Sequence, residues 1–113
     1  MAYRTVNIEY GFPDVQTAMT RLSQELCLAK TAGHRAIKII HGYGSSGKGG
    51  KIKRATVKEL ERRLKNGNIR FYVNGEEFGD CFLKGQEAVK IYKELRKDCD
   101  FGRQNDGITV VIF

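Results

Sequence analysis

The sequence predicts an α/β fold, a sandwich of two or three layers built on right-handed parallel crossovers. Three observations predict it. Apolar stretches of strand length alternate with amphipathic stretches of helical period, the strand-like stretches are rich in Ile and Val, and the last of them is apolar almost throughout. With 113 residues the chain suits one domain over residues 1 to 113. A chain of that size can bury an ordinary core without disulfides or a structural metal.

Residues 3 to 9 set Val6 and Ile8 against Asn7 and Glu9, the alternation of a half-buried strand. After Gly11-Phe12-Pro13, Asp14 is an N-cap. Val15, Ala18, Met19, Leu22, Leu26 and Ala29 then recur at helical spacing until Gly33 stops the helix. Residues 36 to 40 are Ile-rich and bounded by turns, which predicts an interior strand ending at His41. Helical periodicity resumes over residues 51 to 65, with Ile52, Thr56, Val57, Leu60 and Leu64 inward, and Asn66-Gly67 closes it. Residues 69 to 73 and 107 to 113 are the third and fourth strands, the fourth apolar enough to lie centrally. Between them, residues 76 to 104 form an inserted helical excursion. Its helix, roughly 84 to 97, shows only a narrow stripe of Ala88, Ile91, Tyr92 and Leu95, which reads as a helix laid on the domain's edge.

A formal net charge of +7 narrows the partners to polyanions, with nucleic acid ahead of anionic membrane or acidic protein surfaces. The chain has no apolar run of about 18 residues and no leader pattern at its start, so membrane-spanning and secretory readings are disfavoured. Cys27, Cys81 and Cys99 are widely spaced with no C-x-x-C, which argues for buried or incidental thiols in a reducing cytoplasm.

The segment from Ile39 to Gly50 joins a strand to a helix and is mostly Gly, Ser and Lys, a place where backbone amides can receive an anion. Gly42, Gly44 and Gly47 satisfy the dinucleotide pattern G-x-G-x-x-G, but no acid follows at the end of the next strand. Gly42 to Lys48 also matches G-x-x-x-x-G-K. There Gly49 stands where a nucleotide-binding loop needs Ser or Thr for magnesium. A plain flexible connection is the third reading. Beyond the loop, Lys51, Arg54, Lys58, Arg62 and Lys65 recur at steps of three and four opposite Leu60 and Leu64, with only Glu59 and Glu61 to offset them. Such a stripe is either a solvated face or a track for phosphates.

The run from Thr31 through Gly33-His34, the strand Ala36-Ile37-Lys38-Ile39-Ile40 and His41-Gly42-Tyr43-Gly44 resembles the centre of the small MutS-related (Smr) domain. The likeness extends from about Val6 to Leu64, and the last strand is similar to that family's closing strand. The resemblance implies a βαβαββ two-layer sandwich with a mixed four-stranded sheet, similar to the C-terminal domain of translation initiation factor three, here with one inserted helix. It also implies binding of DNA or RNA and, in several members, metal-dependent or metal-assisted endonuclease activity. The family's nucleases carry L-D-L-H-G at the end of the first strand. Here Asn7 falls at the Asp position and Glu9 at the His position, or Tyr10 takes the latter if Gly11 sets the alignment.

Three functions follow as expectations. In the first, the chain binds nucleic acid with low sequence preference: the amides of Gly42, Gly44 and Gly47 cradle a phosphate, His41 donates to it, and Lys48, Lys51, Arg54 and Lys58 follow the backbone. Binding then needs no cofactor. In the second, His41 and Glu9 are a catalytic pair for phosphodiester hydrolysis, with a divalent metal entering only in that case. In the third, the basic face and the inserted helix take an acidic protein partner. His34 reads as a helix C-terminal cap and stays outside the site.

Overall fold

Helix ends and strand registers follow from local chemistry that the sequence carries openly. The computed structural model describes residues 3–42 and 48–113. Strand β1 (Tyr3–Asn7) leads to helix α1 (Val15–Thr31), β2 (Ala36–Ile40), α2 (Lys48–Lys65) and β3 (Phe71–Asn74). A short 3-10 turn, Gly75–Glu77, precedes α3 (Leu83–Ile91), a second 3-10 turn, Lys93–Lys97, and β4 (Ile108–Ile112).

Asp14 caps α1, its carboxylate accepting from the Thr17 N–H at 2.7 Å. Both long helices end alike. The N–H groups of Gly33 and His34 donate to the Lys30 and Ala29 carbonyls, and those of Gly67 and Asn68 to the Leu64 and Arg63 carbonyls. This double bond pattern needs a left-handed residue after the helix, and Gly33 and Gly67 supply it at φ 81° and 76°. His34 thus caps through its backbone.

The sheet order is β1-β2-β4-β3, with β1 parallel to β2 and β4 antiparallel to both its neighbours. The mixed four-stranded sheet and the central place of β4 are as expected. Because side chains alternate along each strand, the two faces bury different sets. Val6, Ile8, Ile37, Ile39, Tyr72 and Val111 pack under α1 and α2 with Leu22, Leu26 and Leu60, which makes the two-layer α/β sandwich.

The excursion corrects one expectation. It does not lie on an edge but closes over the opposite face, where Ala88, Val89, Tyr92 and Leu95 pack with Tyr3, Val73, Val110 and Ile112. The narrow stripe suffices because α3 stops at Ile91. Tyr92 turns extended at φ −143° and redirects Leu95 onto the same face through the 3-10 turn.

That face also buries a charge. Lys38, on interior strand β2, sits beneath the segment after the second 3-10 turn, its Nζ 2.9 Å from Asp98 Oδ1 and 2.7 Å from Asp100 Oδ2. The Tyr3 hydroxyl donates to the other Asp98 oxygen, and Asn105 Nδ2 donates to Asp100 at 3.0 Å. Burial works against the Lys38 charge, but hydrogen bonds to Asp100 and Asp98 outweigh it and hold the ammonium above its ordinary value. The three cysteines are free and exposed, so none belongs to the core. No helix among the described residues is long and apolar enough to cross a membrane.

Candidate nucleic-acid interface

Helix α2 builds an extended cationic face. Ile52, Thr56 and Leu60 are buried against the sheet side, and this fixes which residues face outward. Lys51, Arg54, Lys58, Arg62 and Lys65 are all exposed, one per turn along the outer face. Arg62 is held by Glu59 at 2.6 Å, and Arg63 shares the same carboxylate at 2.7 Å. Those two guanidinium groups hold the Glu59 carboxyl below its ordinary value. Among the described residues, Lys51, Arg54, Lys58 and Lys65 form no ion pair. Glu61 does not relieve them, because it turns inward to accept from the Tyr72 hydroxyl at 2.6 Å. Lys53 lies off the stripe, donating to Glu76 at 2.8 Å and to the Asp106 carbonyl at 2.9 Å. An open groove of about 630 Å³ runs beside the stripe, floored by Val57 and Tyr72 and flanked by Arg54, Lys58 and Lys65.

The loop end of β2 is arranged differently from the expectation. His41 is fully buried, with Nε2 2.8 Å from Thr109 Oγ1 and Nδ1 3.1 Å from the Gly42 carbonyl. Asn74 Oδ1 lies 3.0 Å from the Thr109 hydroxyl oxygen, so a row of polar groups crosses from β2 through β4 to β3. Both ring nitrogens are engaged, and neither is left to donate to a phosphate. The N–H groups of His41 and Gly42 both donate to the Gly107 carbonyl, at 3.0 and 3.1 Å. The Gly42 amide is therefore also unavailable to an anion.

Gly42 is a glycine for another reason. It adopts φ +86°, and a Cβ there would lie 2.1 Å from Glu9 Oε2. Glu9 thus takes the place beside the loop, while Tyr10 points into solvent against Arg21. Asn7 acts locally, its Oδ1 accepting from the Glu9 N–H at 2.8 Å. Gly44 and Gly47 lie outside the described residues. Lys48 opens α2, and its side chain lies outside them too.

The expected catalytic pair is not assembled. His41 follows Ile37 and Ile39 in alternation and joins Thr109 on the α1/α2 side of the sheet, whereas Glu9 follows the buried Ile8 and turns to the other side. There it lines a hollow of about 370 Å³ with Thr5, Lys38, Asp100 and Asn105. Strand adjacency brings the two residues to one end of the sheet, and the side-chain alternation then separates them.

A metal does not fit the acidic group nearby. Asp98, Cys99 and Asp100 offer ligand atoms within 4.8 Å of one another, but Lys38 Nζ already sits among them at hydrogen-bond distance from both carboxylates. A divalent cation would meet that ammonium directly.

Burial of His41 also makes a solution prediction. Desolvation, aided by the nearby Lys53 ammonium, holds its imidazole below the ordinary value against weaker opposition from the Gly42 carbonyl, Glu76 and Asp106. Between the unfolded value, about 6.5, and the lower folded one, the unfolded chain binds more protons. Stability is therefore expected to fall as the pH drops below 6.5, by at most about 1.4 kcal/mol per pH unit from this residue. Urea unfolding at pH 7.5, 6.5 and 5.5 measures it. A stability that stays level or rises over that window contradicts a neutral buried imidazole.

Sequence reasoning passed over two features, the buried Lys38 cluster and the exposed aromatic rings of the β1–α1 loop. No family model, no curated protein and no solved structure gives a significant match to the chain.

Proposed function

We propose that this protein is a nucleic-acid-binding domain of the Smr type that grips phosphates with low sequence preference. The observation that carries the reading is the outer face of α2. Five cationic side chains are exposed there, one per turn, and four make no ion pair among the described residues. Like charges so aligned repel one another, and a polyanion relieves that repulsion by replacing condensed counterions. The net charge of +7 supports it. Lys51, Arg54 and Lys58 lead the track, and the groove beside them can seat a sugar-phosphate chain. His41 and Gly42 shape the loop end from beneath and do not contact the ligand.

Recognition by charge rather than base identity follows from the sheet aromatics. Tyr3 and Tyr72 are buried and Phe71 is half-buried, so among the described residues the strands offer no fully exposed ring for stacking. The test is titration against duplex DNA, structured RNA and heparin over a range of salt. Binding to all three is expected, with log affinity falling linearly against log salt at about 0.7 to 0.9 per nucleic-acid phosphate contacted. Affinity for none of them, or affinity indifferent to salt, contradicts the proposal and favours an acidic protein partner.

A further inference from the structure

We infer that the β1–α1 loop carries a stacking site for an unpaired nucleobase, with Phe12 as its platform, so that the ligand of the α2 face is single-stranded nucleic acid. The inference deepens the function proposed above and rests on it.

Phe12 is 82% exposed and Tyr10 61%, two aromatic rings offered to solvent within three residues. Their display is built into the backbone. Phe12 adopts φ 52°, a left-handed conformation that a bulky residue rarely takes, and strain of this kind persists only where the surroundings hold it. The surroundings here are specific. The Phe12 N–H donates to the Glu9 carbonyl at 3.2 Å, and Arg21 Nη1 donates to the Ile8 and Tyr10 carbonyls at 3.3 and 2.8 Å. The Arg21 guanidinium also lies 3.9 Å from the Tyr10 ring centroid, and Asp14 fixes the exit from the loop by capping α1.

The location identifies the ligand. Phe12 and Pro13 form one wall of a cleft of about 380 Å³ whose other wall is Lys51 and Ile52 of α2. Lys51 begins the exposed basic stripe, and Arg54 and Lys58 continue it. An aromatic ring and an ammonium across one cleft match a nucleotide, whose base has a π face and whose phosphate is anionic. Asp14 also lines the cleft, but its carboxylate is turned to the Thr17 N–H. A continuous duplex keeps its bases stacked on one another and presents no free face. A single strand does present one, and stacking accepts any base, consistent with low sequence preference.

The chain contains no Trp, so Phe12→Trp introduces a single reporter at the site. Its fluorescence should be quenched when a single-stranded oligonucleotide binds and should not change with heparin, a polyanion without bases. In parallel, Phe12→Ala should lower affinity for the single strand about ten-fold while affinity for heparin and for duplex DNA stays within about two-fold. Thermal unfolding of each variant, expected near the parent's because the ring is exposed, shows that the fold is intact. Binding of the single strand without quenching, together with an unchanged affinity in Phe12→Ala, overturns the stacking site and leaves phosphate binding standing. Absence of binding to single strand, duplex and heparin alike overturns both.

Discussion

Replacing Lys38 by Met is expected to destabilise the protein by about 3–5 kcal/mol, because removing one member of a buried ion pair leaves the other charge uncompensated. For a domain of this size the fall in Tm is on the order of 10–20 °C. Among the described residues, Lys38 is the only cation within hydrogen-bond reach of Asp98, whose side chain is almost wholly buried. Methionine fills the space of the Lys38 stem but donates nothing, so among the described residues Asp98 keeps the Tyr3 hydroxyl and the Asp100 N–H.

The sign with pH is also determined. Despite the cost of burying it, hydrogen bonds from Asn105 and Lys38 hold the Asp100 carboxyl below its ordinary value. Its contribution to the parent is therefore present above the unfolded value, about 3.9, and is lost as the pH falls through the lower folded one. In the variant, protonating Asp100 removes part of the uncompensated charge, so the gap between variant and parent narrows as the pH falls toward about 4. The double variant Lys38→Met/Asp98→Asn should recover part of the loss. Denaturant unfolding of all three chains measures this, and a loss below about 1 kcal/mol at pH 7 would show that solvent screens the cluster.

Phosphodiester cleavage is expected to be absent, or about 10²- to 10⁴-fold slower than in proteins bearing L-D-L-H-G, the usual cost of losing an acid–base partner. The Asn7 amide cannot accept a proton, and its oxygen is already committed to the Glu9 N–H. His41 has both ring nitrogens engaged, and Glu9 lies on the other side of the sheet. Hydrolysis needs an activated water and a protonated leaving oxygen at one phosphate, and Glu9 and His41, on opposite faces of the sheet, do not meet at one. Plasmid nicking and RNA cutting assays, with and without divalent cations, test this. Robust cleavage that disappears in Glu9→Gln, with affinity and stability retained, would show that Glu9 has taken over the missing role.

What was legible in the sequence was what local chemistry decides. Asp14 as cap, Gly33 and Gly67 as helix stops, the Ile-rich β2 and the outward basic face of α2 each depend on neighbours within a turn or a strand. The illegible part depends on distant partners. Lys38 sits in an apolar strand, and nothing near it announces Asp98 and Asp100 sixty residues later. The stripe of α3 reads as peripheral because sequence periodicity does not reveal the break at Tyr92 that lays Leu95 on the sheet. His41 precedes a glycine loop in the manner of a ligand-binding residue, but Thr109 claims its ring and Gly107 its amide. Phe12 stands in the turn before α1, and no neighbour in the sequence marks it as among the most exposed apolar side chains.

The claim that α2 is a phosphate track is tested most directly by comparing the salt dependence of binding in the parent and in Lys51→Gln/Arg54→Gln/Lys58→Gln. The three side chains are exposed on the face away from the core, so folding should change little. With duplex DNA as ligand, the slope of log affinity against log salt should flatten by about 2 to 3, near 0.9 for each lost contact, and affinity should weaken across sequences alike. A slope unchanged in the folded variant would show that the phosphates lie elsewhere and would contradict the account.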